Sequence, residues 1–175
     1  MLTGEKVILR EVRESDLDRL TEFNNNFDIW VLADDELPSP RTREQVQAEL
    51  REWMKEGIVM PFIIEVDGKI IGDCGLHHFN EGSRNCSFGI VISDEDYLGK
   101  GYGREVGGLL MDFAFRLRNM RRVWLTVNAD NERAIRSYKG LGFIEEGRLR
   151  EHVWQDGRYH DWVYMGLMRT EWDAR

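Results

Sequence analysis

Between residues 90 and 117 the chain changes its periodicity without a spacer. Ile90-Val91-Ile92 is a β-branched apolar run, Gly99, Gly101 and Gly103 follow at alternate positions, and Val106, Leu109, Leu110, Phe113 and Leu117 then recur at helical spacing. A strand that passes through a glycine turn into a long amphipathic helix constrains the fold strongly. It places a helix start, with its unsatisfied N–H groups and positive dipole end, at the end of a strand. Glycines in the loop let the backbone turn with its amides unscreened by side chains. Together these features describe an anion site large enough for a pyrophosphate. A tight strand-to-helix turn with no ligand is the plain alternative.

Two common phosphate loops are excluded by the residues themselves. A Walker A loop needs Lys followed by Ser or Thr, and both Lys100 and Lys139 are followed by Gly. The dinucleotide fingerprint needs Gly or Ala where this chain has Arg104 or Val106.

Around this segment the elements follow in order. Val7-Ile8-Leu9 reads as a short strand, and Ser15 as the N-cap of a helix carrying Leu17, Leu20 and Phe23. Residues 27–41 contain Pro38 and Pro40 and read as a loop. Thr42 and Gln45 form a capping box for a helix with Val46, Leu50, Trp53 and Met54 on one face, stopped by Gly57. Residues 62–66, 69–78 and 84–92 read as an antiparallel meander turning at Asp67-Gly68 and at residues 80–83. Residues 123–127 form a strand, Asp130-Asn131 caps a short helix carrying Ile135 and Tyr138, and a hairpin across Asp156-Gly157 follows. No repeat or linker interrupts the 175 residues, so residues 1–175 read as a single domain. The expected fold is α/β (α+β): a mixed, mostly antiparallel central sheet of about seven strands flanked by about four helices.

Composition narrows the function. With 42% hydrophobic and 11% aromatic residues the chain is not disordered. Cys74 and Cys86 are too few for a disulfide scaffold. No apolar run approaches ~18 residues, and the N-terminus shows no signal-peptide pattern, so the expectation is a cytoplasmic protein without a membrane partner. A net charge of −8 argues against nucleic acid as a partner. The charge is segregated, however. Residues 98–150 hold 11 bases and 6 acids, whereas the first 97 residues hold 21 acids and 10 bases. An anionic ligand on the basic segment fits this distribution, as do solvated Arg-rich helix faces.

The stretch from Gly99 to Arg104, then Asn131-Glu132-Arg133-Ala134-Ile135-Arg136-Ser137-Tyr138, then Leu141-Gly142-Phe143, resembles the GNAT superfamily of N-acetyltransferases, nearest its ribosomal-protein and spermidine N-acetyltransferase branch. The whole chain follows that family's order of elements. Leu98 stands where the family has Gln or Arg, but a backbone cradle at residues 99–104 does not depend on that side chain. The resemblance implies acetyl-CoA as co-substrate, no metal, and an acceptor that is a small-molecule amine or a peptide N-terminus. A homodimer is the common assembly. By position, Ile90, Val91 and Ile92 would pair with the pantetheine arm. Gly99, Lys100, Gly101, Tyr102, Gly103, Arg104 and Lys139 would hold the phosphates, and Asn131 would bond the pantetheine. Tyr138 would be the general acid to the CoA thiolate. Aminoglycoside acetylation and a non-catalytic acyl-CoA sensor are the alternatives.

Acetyl transfer to an amine needs a route for the ammonium proton, donors for the oxyanion and a proton for the thiolate. A phenol such as Tyr138 suits the third need; the plain alternative is a core residue on the helix face with Ile135. The Val91-Ile92 backbone amides suit the second. The base is open: related enzymes often carry Glu where this chain has Ser87, leaving His77, His78, a loop acid such as Glu36, or a water chain. Asp34, Asp35, Glu36 and His77 are the substrate-side candidates, an acidic mouth favouring a polycation. Hairpin arithmetic places His77 opposite Cys86, Cys74 opposite Gly89, Trp154 opposite Tyr159 and His152 opposite Asp161.

Overall fold

The computed structural model describes residues 1–33, 36–55 and 59–175. The chain runs β1 (Leu2–Thr3), β2 (Ile8–Arg10), α1 (Leu17–Asn24), α2 (Phe27–Ala33), α3 (Arg43–Lys55), β3 (Val59–Val66), β4 (Lys69–Asn80) and β5 (Asn85–Ile92). It continues through α4 (Tyr102–Asp112), β6 (Arg122–Asn128), α5 (Glu132–Gly140), β7 (Ile144–Gln155), β8 (Arg158–Met168) and α6 (Arg169–Asp173). The strands form one sheet in the order β1-β2-β3-β4-β5-β6-β8-β7. Every pairing is antiparallel except β5 with β6. The described residues thus hold eight strands and six α-helices, against about seven and about four expected; a short edge strand, α2 and the terminal helix α6 account for most of the difference.

Local chemistry explains the elements. Asp67 and Gly68 both take positive φ (50° and 78°), as a two-residue hairpin turn of this kind requires. Asp156 and Gly157 repeat the device (48° and 77°). The capping box of α3 is formed: Gln45 N donates to Thr42 Oγ1 at 3.3 Å and Thr42 N donates to Gln45 Oε1 at 2.8 Å. The start of α1 departs from expectation. A short 3-10 turn, Glu14–Asp16, precedes it, and Asp16 rather than Ser15 accepts a backbone amide, from Arg13 at 2.7 Å. Asp16 can be buried there because Arg10 grips both its oxygens, at 2.8 and 3.1 Å, while also donating to Glu65 at 2.6 Å. Residues 27–33 are helical rather than loop. Trp30 N donates to the Asn26 carbonyl, and Ile29 is buried. Gly57 lies outside the described residues.

Two faces of the sheet are covered. Val106, Leu110, Met111, Ala114 and Phe115, from α4 and the π-helical turn that extends it (Phe113–Leu117), pack on Leu76, Cys86, Val123, Leu125, Val163 and Met165. On the opposite face Leu20 and Phe23 of α1 and Val46 of α3 pack on Ile63. The helices of this second layer leave part of the sheet's centre uncovered, and the site lies there.

Candidate active site

Strands β5 and β6 pair only through Asn85–Arg122, Cys86–Val123 and Ser87–Trp124. Beyond Ser87 they diverge. Residues 88–92 keep their β4 partner on one side and, among the described residues, have no strand on the other, so alternate peptide groups face an open cleft. That cleft opens into a cavity of about 680 Å³. Its walls are β5 from Phe88, β6 from Thr126 to Asn128, the glycine loop, α5, and the inner sides of α1–α3.

The glycine loop forms one end. Gly99 and Gly101 have φ of +73° and +89°, conformations in which a side chain is strained, and a β-carbon at either would meet no atom within 4 Å. The glycines are therefore required by backbone shape, and the space above them is free. Gly101 is the N-cap of α4 and offers no side-chain cap. Arg104 and Glu105 donate to the Gly101 carbonyl, whereas the amides of Tyr102 and Gly103 find no protein acceptor among the described residues. Arg104 lines the cavity and reaches the Gly140 carbonyl at 3.4 Å, tying the loop to the end of α5. Arg133 and Arg136 of α5 add positive charge to the wall.

Of the residues singled out from sequence for this end, Ile90, Val91, Ile92, Gly99, Gly101, Gly103, Arg104 and Asn131 all line the cavity. Lys100, Tyr102 and Lys139 are not among the lining residues. Lys100 lies 5.7 Å over the Tyr97 ring, and Tyr102 packs on Tyr97 at 5.6 Å. Asn131 caps α5 by accepting Ala134 N at 3.1 Å.

Tyr138 reaches the cavity from α5 with its ring edge-on to Phe88 (6.0 Å) and Phe143 (6.1 Å). Burial pushes its phenol up to about 12, so it holds its proton at neutral pH. Its hydroxyl has no protein partner among the described residues. It is both packed and available as a donor.

The wall away from the glycine loop is largely apolar. Leu20, Phe23, Ile29, Val46, Pro61 and Ile63 contribute to it. Within this wall β4 projects Asp73, Gly75 and His77 on one face, opposite Val91, Gly89 and Ser87 of β5. The two glycines face each other and leave a floor without side chains. The His77 ring lies across them, since a methyl group on Gly89 would sit 3.1 Å and one on Gly75 3.2 Å from His77 Nε2. Burial, and secondarily His78, pushes His77 down to about 4, so its ring is neutral at physiological pH. Asp73 has no hydrogen-bond or ion-pair partner among the described residues, and burial pushes its carboxyl up to about 6. Sequence reasoning missed Asp73. The available signal was an acid in the same alternating phase as His77, inside the otherwise uncharged run Ile70–Leu76.

Asp34 and Asp35 lie outside the described residues. Glu36 and Glu49 line the cavity, with Arg41 3.8 and 2.6 Å away from them respectively. Ser87 and His78 are bonded to each other at 2.9 Å but do not line it, and His78 stacks on Trp124 at 5.7 Å.

Two registers differ from hairpin arithmetic. His77 faces Ser87, and Cys74 faces Ile90, because the ladder shifts between His77 and Asn80. Cys74 and Cys86 are both buried and free, with burial pushing the Cys86 thiol up to about 12. No cluster of potential metal ligands occurs among the described residues. Trp154 does face Tyr159, but Asp161 accepts from Glu151 N at 3.0 Å and neighbours Arg148 rather than His152. A bulge between Leu149 and Val153 moves the register. It is His160 that pairs with a carboxylate, Asp130, at 3.0 Å.

Comparison with known proteins agrees with this geometry. Residues 6–144 match the acetyltransferase (GNAT) domain family. The chain is 34% identical over 113 residues to the spermidine N(1)-acetyltransferase of Escherichia coli K12, an alignment covering 65% of this chain and 60% of that protein. It is 30% identical to the prophage-derived N-acetyltransferase YokL of Bacillus subtilis, over 98% of this chain and 94% of that one. The crystal structure of spermidine N-acetyltransferase from Vibrio cholerae in complex with CoA and spermine superposes with a TM-score of 0.89. It shares 26% identity and covers 97% of this chain and 99% of that chain.

Proposed function

The chain belongs to the GNAT acetyltransferase family, and on that footing we propose that it transfers the acetyl group of acetyl-CoA to a primary amine, a polyamine or a peptide N-terminus. The observation that carries this reading is the divergence of β5 from β6 beside a glycine loop with free amides. An extended amide-bearing arm fits the unpaired edge of residues 88–92 as an added strand. A pyrophosphate fits the start of α4, with Arg104, Arg133 and Arg136 nearby to offset its charge. Coenzyme A has both parts in one molecule, and supplies the activated acyl group as a thioester.

The chain's own residues divide the work. In the Val91-Ile92 segment the Ile92 N–H, on the side of β5 away from β4, is the backbone donor toward the acetyl oxygen. Tyr138 keeps its proton until a thiolate develops and then donates it, a direct transfer needing no covalent enzyme intermediate. The apolar acceptor wall excludes water from the thioester, protecting it from hydrolysis. Relatives named for spermidine favour a polyamine acceptor.

The test is release of free thiol from acetyl-CoA with spermidine, an aminoglycoside and a basic peptide, each against a blank without acceptor. Release above the blank with spermidine or the peptide supports the reading. Release with the aminoglycoside alone moves the acceptor to an antibiotic class. Thermal stabilisation by CoA without release from any amine leaves a binding protein without chemistry, and overturns the reading.

A further inference from the structure

Asp73 is a carboxylate in a place that ordinary folding does not favour. Lone charges are rarely kept away from water without a partner, because desolvation is uncompensated. Asp73 has no ion-pair or hydrogen-bond partner among the described residues, is only partly exposed, and lines the cavity. The polar groups around it are otherwise occupied or of the wrong kind. His77, on the same strand face, is neutral and lies across the glycine floor. Glu36 and Glu49, from the helical side, have Arg41 beside them. Tyr138 and the α5 arginines lie on the α5 wall, and neither they nor Arg104 bonds to Asp73. The Cys74 side chain lies in the opposite core.

Position adds a second argument. Asp73 is in register with Val91, in the stretch of β5 that has lost its β6 partner. Gly75 and Gly89, the next residues on that face, carry no side chain of their own and are covered by the neutral His77 ring, so no charged group stands beside Asp73 on that face. Ser87 does not line the cavity and is already bonded to His78, so it is poorly placed to handle the acceptor's proton.

We propose that Asp73 binds the ammonium group of the acceptor amine and receives its proton, making it the catalytic base that Ser87 does not supply. This rests on the acetyltransferase reading above. The ammonium gives one proton to the carboxylate of Asp73, which passes it to solvent. The freed nitrogen lone pair forms the C–N bond to the acetyl carbon as the C–S bond breaks, and its electrons leave on sulfur. Tyr138 protonates that sulfur and is reprotonated by the second proton the nitrogen sheds as it becomes an amide. A desolvated carboxylate with a raised pKa is a stronger base than a surface one, and an arriving ammonium offsets the burial of its charge.

The experiment compares wild type, Asp73→Asn and Asp73→Glu for thiol release from pH 5.5 to 9 at saturating acetyl-CoA, with the CoA-induced melting shift measured on each. The proposal expects Asp73→Asn to lose about 10²–10⁴-fold in kcat/KM for the amine. It also expects loss of the acidic limb of the wild-type profile, an unchanged CoA melting shift, and partial recovery in Asp73→Glu. Wild-type turnover and an unaltered acidic limb in Asp73→Asn overturn the role of Asp73 while leaving acetyl transfer intact. A wild type that is stabilised by CoA but acetylates no amine overturns both readings together.

Discussion

Replacing Asp73 by Asn removes a charge that the fold holds at its own expense, so it stabilises the ligand-free protein. Burial moves this carboxyl from an ordinary 3.8 to about 6. Each unit is worth about 1.4 kcal/mol, so ionised Asp73 opposes folding by about 3 kcal/mol at pH 8. The amide of Asn is itself a polar group without a partner, which leaves a net gain of about 1–3 kcal/mol. For a chain of this length that is a rise of roughly 2–12 °C in Tm. The sign of the pH dependence follows from proton binding. Between pH 3.8 and about 6 the folded wild type holds more protons than the unfolded chain, so its stability falls as pH rises through that window. The Asn variant lacks that contribution. The gap is therefore widest at pH 8 and closes toward pH 4, and thermal or urea unfolding without ligand at pH 8, 6 and 4.5 measures it. An Asn variant no more stable than wild type at pH 8, or a gap that does not change with pH, would refute the argument that this carboxylate is unpartnered.

Tyr138→Phe keeps the ring contacts with Phe88 and Phe143 and removes the proton donor. Turnover falls about 10²-fold or more while the CoA-induced melting shift stays within error, as thiol release and differential scanning on the same preparation record. Gly101→Val forces a branched side chain onto a φ of +89° and crowds the amides at the start of α4. Calorimetry with CoA then shows weakened binding, and unchanged affinity removes the cradle from the account. Arg10→Ala leaves Asp16 buried without its guanidinium. Urea unfolding shows a loss of about 3–5 kcal/mol, far beyond what a surface ion pair gives.

The parts of the fold with strong local rules were legible in the sequence. The glycine loop, the capping box at Thr42, the turns at Asp67-Gly68 and Asp156-Gly157, and the Asn131 cap follow from residue chemistry that context does not override. The errors come from features without such a signature. Helix α2 is short and lies beside acids and prolines, and its start depends on contacts of Asn26. The bulges that moved His77 and His152 out of their expected pairings include His78 and Glu151, non-glycine residues at φ of 49° and 50°. Nothing in residue type announces them. Within the site, backbone-dependent positions were readable because glycine spacing exposes them. Asp73 was not, since its significance lies in the absence of neighbours, which only packing determines.

The strand order has a consequence for how the protein is made. Strands β1 to β5 each pair with a strand next to them in sequence, so this part of the sheet can assemble as the chain emerges. Beyond it the order inverts, because β8 inserts between β6 and β7. Until residues 158–168 are synthesised, β6 has only its short contact with β5, and β7 has no strand to pair with. Of these eight strands the last to be synthesised, β8, is thus an internal one. A nascent chain halted before Arg158 presents two unpaired strand edges, one on the largely apolar β6 and one on the charged β7, and the edge of β6 is the one open to aggregation and chaperone capture until β8 is made.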